Sequence, residues 1–237
     1  MTHDADLAQA VEPLLAPIRQ IFGDRLNAFL VYGQTGIERT PDGIRTLALV
    51  SGLRYEDLQA CAPRIAGWHR AGFATPLILT SDEFSRSLDA FPLEYGAILA
   101  HHVLVAGTNP FEGASVDEQD VRRACEVQAK SHLLHLREGY LESGGRPAAV
   151  AQLLAASAAP FAALLRHVAR LQGVEPDDPK VLREHVEQEI GLPGKVIERI
   201  LTVRRPDDLP GPEAVSLYPA CLEAAERLAR YVDEWKR

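Results

Sequence analysis

The chain has 237 residues, 46% of them hydrophobic and 24% charged, with a formal net charge of −8. That size and composition suit one large globular domain or two small ones with a sizeable core. The acidic balance argues against a protein whose main task is gripping a nucleic-acid backbone, which takes clustered cationic surface. Three cysteines, Cys61, Cys125 and Cys221, stand far apart with no Cys-x-x-Cys pair. They imply neither a disulfide framework nor a zinc site, and a reducing cytoplasm is the expected location. The opening Met-Thr-His-Asp-Ala-Asp carries acid and no basic region before an apolar run, unlike a signal peptide. No uninterrupted apolar run reaches about 18 residues, so no membrane span is expected.

The first half alternates helical and strand periods. From Asp6 to Phe22, Leu7, Val11, Leu14, Leu15 and Ile18 recur at helical spacing. Pro13 and Pro17 predict a kink or break in that helix, and Gly23 a stop. Ala28 to Tyr32 reads as a buried strand and Ile44 to Val50 as a second. Tyr55 to Ala71 reads as one helix, with Leu58, Cys61, Ile65 and Trp68 on its inner stripe. Leu77 to Leu79 is a third strand. Thr80-Ser81-Asp82-Glu83 opens a helix, with Thr80 or Ser81 as N-cap and acids in the first turn. The apolar runs Tyr95–Leu99 and Val103–Val105 predict strand over 93–106.

After Phe111-Glu112-Gly113 only helical periods remain. Asp117 to Leu141 places Val121, Cys125, Ala129, Leu133, Leu136 and Tyr140 three or four apart. Pro147 can open a further helix at its first turn, and Pro160 predicts a kink or restart within it. Shorter helices follow over 179–190 and 194–203, and a long one over 212–235. Residues 148–169 are rich in alanine. Small side chains permit close helix approach inside a bundle or across a two-fold axis, and a homodimer is expected. The fold class is thus α+β: a small mixed sheet domain over 1–113, then an all-α helical bundle over 114–237.

Residues 27–50 carry the most specific signal. An apolar strand ends in Tyr32-Gly33, a polar loop follows, and an apolar strand resumes near Ile44. This resembles the opening of the DNA polymerase β-like nucleotidyltransferase fold. That family writes Gly-Ser after the first strand and Asp-x-Asp at the start of the second. Here Gly33 is kept, Gln34 replaces the Ser, and Ile44 and Thr46 fall where the two carboxylates belong. Sheet domain followed by helical bundle is also the layout of the kanamycin nucleotidyltransferase type. Phe91-Pro92-Leu93-Glu94, His102 to Gly107, Asn109-Pro110-Phe111, Arg122 to Lys130 and Leu136 to Tyr140 are similar to segments of nucleotidyltransferase-like proteins.

The resemblance implies phosphate binding by a glycine loop, here Gly33, Gln34, Thr35 and Gly36, with Thr46 facing the cleft. It also implies divalent metal held by clustered carboxylates, which Ile44 and Thr46 do not supply. Asp42 and Glu94 are the replacement candidates. Against Asp42, Pro41-Asp42-Gly43 is a turn signature; against Glu94, a local ion pair or cap explains it. Glu38 is read as solvent-facing. On the first bundle helix, Arg123, Glu126, Lys130 and Arg137 lie within roughly 60° of one another. One reading is a solvated face with a Glu126–Lys130 pair. The other is a polar wall for an anion, with Glu126 as the base that related helical domains can supply. His132 and His135 lack a carboxylate or cysteine to complete a metal set, and His101-His102 point to opposite faces. Trp68 and Trp235 read as core or interface anchors.

The reading from sequence is therefore a degenerate nucleotidyltransferase-like protein, without metal-dependent transfer, that binds a nucleotide or another small anion. The rivals are an active transferase with a rebuilt metal site, where Mg²⁺ would enter, and a helical assembly module. Neither membrane nor nucleic acid is an expected partner.

Overall fold

A computed structural model describes residues 2–33, 43–174, 176 and 178–235. The chain folds into two compact units, Met1–Asp117 and Glu118–Arg237.

The first unit is built on a mixed four-stranded sheet in the order β3-β2-β1-β4. The strands are β1 Leu26–Tyr32, β2 Arg45–Val50, β3 Leu77–Thr80 and β4 His102–Gly107. β1 pairs antiparallel with β2 and with β4, while β2 and β3 run parallel. A parallel pair needs a crossover, and α2 Tyr55–Cys61 and α3 Ile65–Arg70 supply it. β1 and β2 are central, so both of their faces are buried and they read as continuous apolar runs. One face, with Phe29, Val31, Ile44, Ala48 and Val50, packs on α1 Thr2–Phe22 through Leu7, Val11, Leu14, Leu15, Ile18 and Phe22. The other, with Ala28, Leu30, Leu47 and Leu49, packs on Phe84 of α4 Ser81–Arg86, Tyr95 and Ile98 of α5 Pro92–Ala100, and Phe111.

Three expectations need correction. The break expected in α1 does not occur: the helix is continuous through Pro13 and Pro17. Each proline removes one helical N–H, but the apolar stripe they interrupt stays buried against the sheet and holds the helix together. The single helix expected over 55–71 is instead α2, a 3₁₀ turn at Ala62–Arg64 and α3. Pro63 sits in that turn, where its missing donor costs least. Most consequentially, 93–100 is helix rather than strand: α5 starts with Pro92 at its first position. Thr80 is the N-cap of α4, and Thr80 and Glu83 form a reciprocal capping box.

At the rim of the sheet, Arg25 grips Asp57 with two bonds, of 2.6 and 2.7 Å, and also donates to the Gly52 carbonyl. Gly107 closes β4 at φ +87°, and the Asn27 carbonyl oxygen occupies the space that a Cβ would need. No side chain fits there.

The second unit is all-helical among the described residues: α6 Glu118–Ser143, α7 Pro147–Leu171, α8 Pro179–Ile190, α9 Gly194–Thr202 and α10 Gly211–Glu234. α7 passes Pro160 without a break. It is long and apolar enough to cross a membrane by length and composition. It packs instead against α6, α8, α9 and α10. Ala151, Ala155, Ala158, Ala162 and Ala169 are buried within the unit, so the alanine-rich stretch serves close helix packing there. Gly139 of α6 leaves room for Leu153 of α7, whose Cδ1 would lie 2.5 Å from an added Cβ. Tyr218 of α10 stacks on Tyr140 of α6 at 4.3 Å and donates to the Leu136 carbonyl. Cys61, Cys125 and Cys221 are all free and buried.

Candidate functional site

In the first unit the candidate site is the end of β1 and the start of β4. A cavity of about 220 Å³ opens there, lined by Val31, Tyr32, Gly33, Ala100, His101, His102 and Val103. Gly33 adopts φ +111°, which glycine tolerates best. Its N–H, however, donates to the His101 carbonyl at 3.1 Å and extends the β1–β4 ladder by a rung. That amide is spent on the sheet rather than offered to a phosphate. Across the strands, His102, Tyr32 and Arg45 share one row. The His102 ring packs edge-on against Phe111 at 4.5 Å, and its Nδ1 lies 3.0 Å from the Ile98 carbonyl. Burial pushes the Tyr32 phenol up, against the opposing charge of Arg45.

Thr46 lies on β2, opposite Val31. It does not face an open cleft: it is 0% exposed, and its Oγ1 has no hydrogen-bond partner among the described residues. Strand alternation puts it on the α1 face with Ile44 and Ala48. Ile44, 6% exposed, forms an isolated bridge with Phe73 and belongs to the apolar core. An isoleucine side chain and a lone buried hydroxyl do not fit a divalent cation, which takes several oxygen ligands. Gln34, Thr35, Gly36, Glu38 and Asp42 lie outside the described residues. Glu94 is exposed in the first turn of α5, not at a strand start; its charge complements the helix N-terminus. Among the described residues, no three His, Cys, Asp or Glu side chains group closely enough to hold a metal ion.

In the second unit the charged stripe divides. Lys130 binds Glu126 and, across to α10, Asp233, both at 2.6 Å. Asp233 and then Glu126 raise its pKa, since both favour the ammonium form. Arg137 binds Glu226 of α10 at 2.7 Å. These two cations staple α6 to α10. Arg123 pairs with Asp120 at 3.3 Å and keeps a 73% exposed side chain. With Glu126 it lines a cavity of about 430 Å³, whose other walls are Glu118, Gln119, Arg122, Leu171 and Trp235. Arg122 donates to the Trp235 carbonyl at 2.5 Å. Arg122 and Trp235 are the residues that reading by sequence missed as a pair. They lie 113 positions apart, and no local period links them.

His132 of α6 serves packing. His132 stacks on Phe161 at 4.8 Å, and burial, helped by His135, lowers its pKa to about 4. His167 falls to about 4 as well, through burial and then Arg170 and Arg166.

No protein-family model matches the chain, and no curated protein matches it. Among solved structures it is similar to spectinomycin adenyltransferase AAD(9) from Enterococcus faecialis, solved with ATP and spectinomycin. The match has a TM-score of 0.57 at 12% identity and covers 95% of this chain and 99% of that one. The chain therefore shares the fold of that adenyltransferase, with a small mixed sheet and a helical part.

Proposed function

We propose that this chain is a nucleotidyltransferase-fold protein that has given up metal-dependent transfer and retains binding of a nucleotide or another small anion. One observation carries the reading. The positions matched to the fold's paired carboxylates hold Ile44 and Thr46, and both are buried in the sheet core. Glu94, one of the two replacement candidates, stands exposed on α5. The similar adenyltransferase was solved with ATP, which makes ATP the ligand to try first.

The test has two arms on the purified chain. Calorimetry with ATP, with and without Mg²⁺, should register binding that does not require the metal. Incubation with labelled ATP, Mg²⁺ and candidate acceptors should yield no transferred nucleotide. Robust Mg²⁺-dependent turnover, lost in Asp42→Asn or Glu94→Gln, refutes the reading in favour of an active enzyme with a rebuilt site. Absence of any nucleotide or phosphate binding refutes it in favour of an assembly module.

A cytoplasmic homodimer belongs to the same reading. Val127, Leu134 and Leu141 support self-association: they are 63%, 55% and 78% exposed at seven-residue spacing on α6. Light scattering across a concentration series tests it, and a constant monomer mass counts against it.

A further inference from the structure

We infer that the 430 Å³ cavity of the helical unit is a nucleoside-phosphate pocket, with Trp235 as the stacking surface for the base and Arg122 and Arg123 as the phosphate grip. This rests on the reading that the chain binds a nucleotide, and it assigns the site. The volume falls within the range of small-molecule pockets, roughly 300–1,000 Å³.

The walls differ in chemistry along the cavity. Leu171, at the end of α7, and Trp235, just past α10, make an apolar side suited to a flat ring. The indole is backed by Tyr231, with ring centroids 5.9 Å apart. Tyr231 is itself held: the Gln172 amide donates to its hydroxyl, and Gln172 Oε1 lies 2.6 Å from His185 Nε2. Arg122 holds the Trp235 main chain through its carbonyl. The stacking wall is thus positioned by α6, α7, α8 and α10 together. A fixed aromatic face is what a planar base needs, because no ordering cost remains to be met on binding.

The start of α6 supplies the charged lining. An arginine presents five donors. Arg122 places one guanidinium nitrogen on the Trp235 carbonyl and Arg123 places one on Asp120, so both retain donors for an oxyanion. Lys130 bridges Glu126 and Asp233, which offsets part of the negative charge that Glu126 brings to the pocket. The two arginines beside the indole suit a base-bearing anion.

The chain's two tryptophans make the test direct. In Trp68→Phe, Trp235 is the only indole. Titration of the full-length variant with AMP and ATP, without metal, should quench its fluorescence saturably. Adenosine should quench more weakly, and pyrophosphate should displace AMP without quenching. Arg123→Gln, a change at an exposed side chain, should weaken AMP on the order of tenfold and leave adenosine unchanged. Trp235→Leu, checked for native circular dichroism, should lose nucleotide binding in calorimetry. If ATP binds in calorimetry without quenching, and equally in Trp235→Leu, this pocket is wrong and the nucleotide-binding reading stands. Quenching by an organic cation but by no nucleotide also overturns the assignment. No binding of any nucleotide to the wild type by either method removes both.

Discussion

Acid sensitivity of the helical unit follows from His132. Its ring is stacked on Phe161 and packed among the side chains of α6 and α7, with a pKa of about 4. An unfolded histidine titrates near 6.5. Above that value neither state is protonated, and the ring adds no pH dependence to stability. Below it the unfolded chain takes up a proton that the native ring refuses, so stability falls with pH until about 4. Proton linkage over that window gives a loss on the order of 2 kcal/mol at about pH 5, rising to roughly 3 kcal/mol near pH 4. His132→Gln removes the titration while keeping a polar side chain of similar reach. Urea unfolding followed by far-ultraviolet circular dichroism, at several pH values from about 7 down to about 4.5, measures both proteins. The wild type should lose about 2 kcal/mol more than the variant between pH 7 and pH 5. Parallel losses would show that the ring is protonated in the native state and refute the argument. His167, also near 4, provides an independent repeat of the experiment.

Other perturbations test the sheet unit. Thr46→Val replaces a buried hydroxyl that lacks a partner with a methyl of similar shape, and should raise stability by about 1 kcal/mol; a loss in urea unfolding would mean that the hydroxyl is bonded after all. Gly107→Ala pushes a Cβ into Asn27 O and should destabilise by at least about 2 kcal/mol, or prevent soluble expression. Asp57 is held below its usual 3.8 chiefly by its bonds to Arg25, so its ion pair stabilises the fold at neutral pH and is lost as pH falls below that value. Asp57→Asn should therefore lower the melting temperature at pH 7 and leave a smaller further drop in acid; an unchanged pH 7 melting temperature would count against it.

The residues explain what could be read without coordinates. β1 and β2 were legible because both faces of a central strand are buried, giving unbroken apolar runs bounded by Gly33 and Ser51-Gly52. α6 and α10 were legible because one buried stripe on each faces the core of the helical unit at helical spacing. The segment 93–100 was not. A short helix with Leu93, Tyr95 and Ile98 buried looks like a strand when only its apolar content is counted. Pro92 at the first helical position was the available signal. The site divides in the same way. Position matching assigned Ile44 and Thr46 to the second strand, where the structure has Thr46 on β2 and Ile44 bridging beside it. It placed Thr46 in a cleft because a strand's period tells which residues share a face, not which face is covered. Arg123 and Glu126 were singled out by helical period alone. Lys130 and Arg137 share that period yet face acids on α10, a partner that only tertiary packing reveals.

The three cysteines have a use that their chemistry does not advertise. Burial raises all three thiols, Cys125 and Cys221 to about 12, so each is unreactive while its surroundings stay closed. Cys61 lies in the sheet unit and the other two in the helical one. A thiol reagent added to the native chain therefore modifies each site only as fast as that unit opens. Mass spectrometry of the labelled peptides would time the opening of each part separately, in unmodified protein. The sequence thus comes with a built-in clock for local unfolding, one hand in the sheet unit and two in the helical unit.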